Sequence, residues 1–122
     1  MKIQISQILK RKKTYTVTGT LWIELENERF FGPGRVELLG HIEKTGSITQ
    51  AAREMGMSYK KAWEMVAAMN RQAACKMVLV QTGGEKGGGS EVTDAAKALI
   101  LYHRQLRKRF LSFLERETKK LK

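Results

Sequence analysis

Apolar positions in this chain change period several times, and each change marks an element. From Tyr15 to Glu26 they alternate, with Tyr15, Val17, Gly19, Leu21, Ile23 and Leu25 on one face and Thr16, Thr18, Thr20, Trp22 and Glu24 on the other. A period of two predicts a half-buried strand, bent at Gly19. Ile3, Ile5 and Ile8 predict a shorter strand before it. Lys10, Arg11, Lys12 and Lys13 carry charge that no core accepts, so residues 1–19 read as a basic arm or short strands.

The period then becomes helical. Pro33 lies just ahead of a helical pattern, where its missing donor costs least, and Val36, Leu38, Leu39 and Ile42 give a stripe from about Arg35 to Lys44. Gly46 ends that helix. Ser47 and Gln50 have capping-box spacing for a second helix ending near Met55. Gly56 permits a sharp turn, and Ser58 caps a third helix from Tyr59 to about Arg71. Ile48, Ala51, Ala52 and Met55 are expected to face Met57, Ala62, Val66 and Met69, and Trp63 is placed in the same core.

Met77 to Gln81 is β-rich, the run Gly83 to Ser90 forms no regular structure cheaply, and Glu91-Val92 returns as a short strand. This is a hairpin wing. Thr93 caps a long last helix, with Asp94 complementing its dipole and Ala95, Leu99, Tyr102, Leu106, Phe110, Phe113 and Leu114 near heptad spacing. The expected fold is mainly α with a small antiparallel β-sheet (α+β): a winged helix-turn-helix over 20–93, followed by an amphipathic, basic dimerisation helix over 94–122.

Composition narrows the function. Lys plus Arg number 23 against 12 Asp plus Glu, a formal +11, which favours an anionic partner. No apolar run approaches the roughly 20 residues of a membrane span, and the start lacks the order of a secretory signal, so a cytoplasmic location is expected. Cys75 is the single cysteine, read as a small packed residue or a spectator, and no Cys/His cluster has metal-ligand spacing. No catalytic set appears. His41 reads as a partly exposed helix residue, His103 as a neighbour of Tyr102, and Glu43, Glu54 and Glu64 as solvated. The glycine loop lacks the Gly-Lys-Ser/Thr ending of a phosphate loop.

Gly46-Ser-Ile-Thr-Gln-Ala-Ala-Arg-Glu-Met-Gly-Met-Ser-Tyr-Lys-Lys-Ala-Trp63, then Met69-Asn70, then the glycine-rich run Thr82 to Gly89 with its central Lys86, closely resemble the DNA-binding domain of ModE-type, molybdenum-responsive transcriptional regulators. The resemblance covers Arg35 to about Leu101, and Ala51 to Met69 is more distantly similar to the LysR-type helix-turn-helix. It implies a sequence-specific regulator of double-stranded DNA. Members with the full architecture carry molybdate-binding Mop domains after this one; the 122 residues end in a basic helix, so neither molybdate sensing nor another cofactor is expected.

In such a motif the third helix enters the major groove by its N-terminal turn. That turn holds Ser58, Tyr59, Lys60 and Lys61. Either lysine can reach guanine or phosphate, and Tyr59 phosphate or sugar. Thr49 and Gln50 can hold a phosphate at the second helix, Gln50 serving equally well as a cap. Lys86 and Gly87 place the wing against a minor groove or the backbone. A homodimer on a palindromic site, paired through Leu99, Tyr102, Leu106, Phe110 and Phe113, is expected. Contacts with RNA polymerase or another regulatory protein are open. Two alternatives stand: a non-specific nucleoid-type DNA-binding protein, and a protein-interaction module using the basic helix.

Overall fold

The computed structural model describes residues 2–81 and 89–122. Two units divide the chain, residues 22–103 and residues 1–21 with 104–122.

The unit 22–103 opens with a hairpin, β1 (Ile23–Leu25) and β2 (Glu28–Phe31), antiparallel with Leu25 opposite Glu28 and Ile23 opposite Phe31. The expected strand over Tyr15–Glu26 is therefore confined to its last residues. The physical reason is the turn: Glu26 and Asn27 both have positive φ, 46° and 72°, the conformation that reverses a chain in two residues, and it gives Ile23–Leu25 a partner in residues read as a break.

Helix α2 (Pro33–Thr45) follows, with proline at its first turn and Gly46 as a left-handed cap at φ 70°. Next come α3 (Ile48–Glu54) and α4 (Tyr59–Gln72), joined through Gly56 at φ 65°. These three helices lie within two residues of their expected bounds. Of the capping box at Ser47 only half forms. Ser47 Oγ accepts from Gln50 N at 3.0 Å, but Ser47 N–H donates to Thr45 Oγ1, and Gln50 Oε1 accepts from Arg53.

Leu38, Leu39 and Ile42 of α2, Ile48, Ala51 and Ala52 of α3, and Ala62, Val66 and Met69 of α4 are buried together with Phe31. Burying each larger side chain contributes about 1.5–3 kcal/mol, and the alanines let α3 and α4 approach closely. His41 Nδ1 hydrogen-bonds to Glu54 Oε1 between α2 and α3, so Glu54 is tied to a neighbour rather than simply solvated.

Strands β3 (Val78–Gln81) and β4 (Gly89–Val92) form the expected wing hairpin, Val78 opposite Val92 and Gln81 opposite Gly89, with the returning strand beginning at Gly89 rather than at Glu91 because Ser90 and Gly89 pair with Val80 and Gln81. Thr93 Oγ1 then accepts from Ala96 N at 3.1 Å and donates to Lys76 O at 2.7 Å, capping α5 (Asp94–Lys119) while fastening it to the approach to β3. On α5, His103 is buried with its ring edge-on to Phe31, centroids 5.3 Å apart, whereas its neighbour Tyr102 is exposed. Cys75 is exposed, which removes the packed reading and leaves the spectator.

In the other unit, Ile5–Ile8 form a single helical turn, α1, in place of the expected strand. Its isoleucines are exposed, and Gln4 N–H donates to Gln7 Oε1 at 2.8 Å while Gln7 N–H donates to Gln4 O at 2.9 Å, a local closure that a helical turn supports and a strand does not. Residues 16–19 run along the C-terminal part of α5. Val17 N–H donates to Thr118 Oγ1 at 2.9 Å, and Gly19 lies so close to Phe110 that an added Cβ would meet the ring at 3.0 Å. A strand would have sent that N–H to a neighbouring backbone; here a helix side chain takes it. Among the described residues no helix is long and apolar enough to cross a membrane.

Candidate nucleic-acid interface

The first turn of α4 is built by Ser58, whose Oγ accepts from Lys61 N at 3.0 Å and whose backbone carbonyl accepts from Ala62 N at 3.1 Å. That capping fixes which residues face out. Ala62, Val66 and Met69 fall into the core at helical spacing, so Ser58, Tyr59, Lys60 and Lys61 are all exposed, Tyr59 at 51%. Two ammonium groups and a phenol therefore stand beside the positive end of a 14-residue helix, with backbone N–H groups left over at its start.

Trp63 departs from expectation. It is 42% exposed, outside the core, because the buried stripe runs through Ala62, Val66 and Met69 and residue 63 lies about 100° round the helix from residue 62. Close crossing of α3 and α4 at Ala51, Ala52 and Ala62 also leaves no space for an indole. Trp63 follows Tyr59 by four residues and shares its outward face.

Thr49 and Gln50 are exposed on the first turn of α3, where the Gln50 backbone N–H is committed to Ser47 and its side-chain carbonyl to Arg53. Lys86 and Gly87 lie outside the described residues. The wing's base is held at two points. Asn70 of α4 accepts from Met77 N at 2.7 Å and Val78 N at 3.1 Å through Oδ1, and donates to Val78 O at 3.1 Å through Nδ2. On the opposite strand, Ser90 N donates to the carbonyl of Gly46 at 2.8 Å.

The role of Asn70 was missed in sequence, although the residue belongs to the quoted Met69-Asn70 pair; an asparagine interrupting an apolar stripe one residue after its last core position is the available signal. Arg35 was missed likewise. Its Nη1 donates to Phe30 O at 2.6 Å, Arg29 O at 3.0 Å and Gln72 Oε1 at 2.9 Å, joining β2, α2 and α4. Burial, and then the nearby Arg71, lower its guanidinium below the usual arginine range.

Of the residues expected in a dimer interface, Leu99 is partly buried and packs on the core, and Phe110 lies against Gly19. Leu106 is partly buried, and Tyr102 and Phe113 are exposed at 52% and 48%. Among the described residues no three His, Cys, Asp or Glu side chains are grouped to hold a metal ion.

MopB of Rhodobacter capsulatus, a molybdenum-pterin-binding protein, is 51% identical over 69 residues, 57% of this chain and 26% of that protein. The transcriptional regulator ModE of Haemophilus influenzae is 41% identical over 80 residues, 66% of this chain and 31% of its own length. The DNA-binding transcriptional dual regulator ModE of Escherichia coli K12 is 40% identical over 80 residues, 66% and 30%. These relatives bear out the ModE-type resemblance, and the chain spans less than a third of their length. A solved structure of ArgP from Mycobacterium tuberculosis superposes on 68% of this chain and 30% of its own with a TM-score of 0.46 at 14% identity. The family model for bacterial regulatory helix-turn-helix proteins of the lysR family matches residues 34–97, from the start of α2 into α5. Matching just over half of the 122 residues, it makes the chain a member of the lysR family of bacterial regulatory helix-turn-helix proteins.

Proposed function

We propose that this chain is a sequence-specific DNA-binding transcriptional regulator, with α4 entering the major groove of a two-fold site bound by a homodimer. The observation that carries the reading is the exposed turn Ser58–Lys61 set directly above buried Ala62, Val66 and Met69, since a rigid helix end presenting donors is what groove readout needs. In this reading Lys60 and Lys61 donate to base edges or phosphate, Tyr59 and Trp63 pack on sugar or a thymine methyl, and Thr49 and Gln50 approach the backbone. Lys86 and Gly87 of the wing reach the neighbouring minor groove or phosphate. Exposed apolar side chains of α5, Tyr102 and Phe113 among them, pair the subunits, and half-sites lie about 34 Å apart. The protein works in the cytoplasm and needs no resident cofactor to bind; native mass spectrometry of the purified chain with molybdate checks the latter, with no adduct expected.

The deciding experiment selects bound fragments from sheared genomic DNA and compares a selected duplex with a random one at fixed salt. A preference of about 10³ or more is expected. Equal affinities would overturn the reading, and a concentration-independent monomer mass by light scattering would remove its dimer.

A further inference from the structure

The chain's charge does not reside where its helix-turn-helix does. Residues 22–103 contain ten Lys or Arg and ten Asp or Glu, so the unit holding α2, α3 and α4 is neutral. Residues 1–21 and 104–122 hold the other thirteen cations and only two acids, and the whole +11 belongs to that smaller unit. We propose that this unit is itself a binding surface for the DNA backbone, supplying sequence-independent electrostatic affinity while α4 supplies the choice of sequence. The inference rests on the reading of DNA as the partner and adds a second contact to it.

The unit's own geometry favours a repeating anion. Residues 16–19 occupy one side of the helix, over Phe110 and Thr118, so the cations project from the remaining faces. Lys108, Ser112 and Arg116 follow one another at i, i+4 spacing and, with Arg109, line a shallow cleft of about 430 Å³. Glu115 and Glu117 pair with Lys119 at 3.5 Å and Lys120 at 2.7 Å, and these are the ion pairs of the unit among the described residues. Arg104, Arg107, Lys108, Arg109 and Arg116 are left facing solvent, as are Lys10, Arg11, Lys12 and Lys13. Like charges on successive turns repel one another, and a polyanion relieves that repulsion along its length where one small anion neutralises a single position. Each phosphate met by such a cation releases counterions, so the surface has a measurable signature in salt.

The test uses the full chain and two variants, Lys10→Gln/Arg11→Gln/Lys12→Gln/Lys13→Gln and Arg107→Gln/Lys108→Gln/Arg109→Gln/Arg116→Gln, each checked for a wild-type melting transition. Affinity for a random 20-base-pair duplex is measured across a salt series. Loss of up to four phosphate contacts lowers the slope of log K against log salt by as much as about 3.6. Affinity for random and selected duplexes falls by the same factor, leaving their ratio unchanged. Lys60→Ala/Lys61→Ala, in contrast, changes the ratio. Unchanged slope and random-DNA affinity in both variants would overturn the proposal. So would intact DNA binding with lost binding to phosphatidylserine vesicles, which would assign the surface to anionic lipid. A wild-type chain without sequence preference would sink the regulator reading and leave the slope measurement standing.

Discussion

Asn70 and Val78 exchange hydrogen bonds in both directions, the amide oxygen accepting the Val78 N–H and the amide nitrogen donating to the Val78 carbonyl, each at 3.1 Å. One side chain of the helix with the exposed first turn thus completes the unpaired backbone at the entrance to the wing. Asn70→Asp keeps the shape and removes the donor, turning a carboxylate oxygen toward a carbonyl. It is expected to cost about 1–3 kcal/mol in urea unfolding, and more than Asn70→Ser, which a water can bridge. Equal stability of Asn70→Asp and wild type would show that the contact is not used.

Trp63→Ala should change stability by no more than about 0.5 kcal/mol, as a surface truncation. Met69→Ala, six residues on and fully buried, should cost about 2–5 kcal/mol. Thermal or urea melts of the two proteins decide whether the indole belongs outside, and a Trp63→Ala loss as large as that at Met69 would return it to the core.

Gly32 has no room for a side chain: a Cβ there would stand 2.5 Å from the indole of Trp22, over which Arg29 stacks at 4.6 Å. Gly32→Ala must push that indole away, at about 1–3 kcal/mol. A blue-to-red change in Trp22 emission, read in a Trp63→Phe background, should accompany the loss.

The hairpin turn at Glu26-Asn27 uses two residues with side chains where positive φ favours glycine and asparagine. Glu26→Asn/Asn27→Gly keeps the turn and eases the backbone, and is expected to stabilise by about 0.5–1 kcal/mol. A lower melting temperature would mean that the turn conformation is wrong.

Lys60→Ala/Lys61→Ala should leave the melt unchanged and weaken binding to a selected duplex more than to a random one. Unaltered affinity for both would argue against the proposed groove contact.

The helical part of the fold was legible because three signals agree there: Pro33 and Gly46 bound α2, Ser47 and Ser58 cap the next two helices, and the apolar stripes have one period. The segment Tyr15–Glu26 misled because alternation reports a half-covered chain without naming the cover. Leu25 found a strand partner, while Val17 and Gly19 found a helix. Trp63 misled for a related reason. Its spacing to Val66 fits a core face, but the two positions on either side of a stripe's edge differ by one residue, and only the closeness of the alanine crossing decides between them. The outward turn Ser58–Lys61 was readable from its cap; Asn70 offered only its place at the end of an apolar stripe, and Arg35 offered nothing, since Asn70 bonds backbone atoms and Arg35 bonds two backbone carbonyls and a glutamine 37 residues on.

Gly46 ends one helix by donating its N–H to Ile42 O, and its carbonyl receives the Ser90 N–H of the wing's second strand. A single glycine is therefore a common anchor for the helix it closes, the helix-turn-helix that follows it and one leg of the wing. Such a joint sets a fixed gauge between the two, like the jaws of a caliper locked at one width. In the proposed complex the protein cannot widen its reach to suit a stiff operator, so base steps between the two contacts would be chosen by how readily they bend.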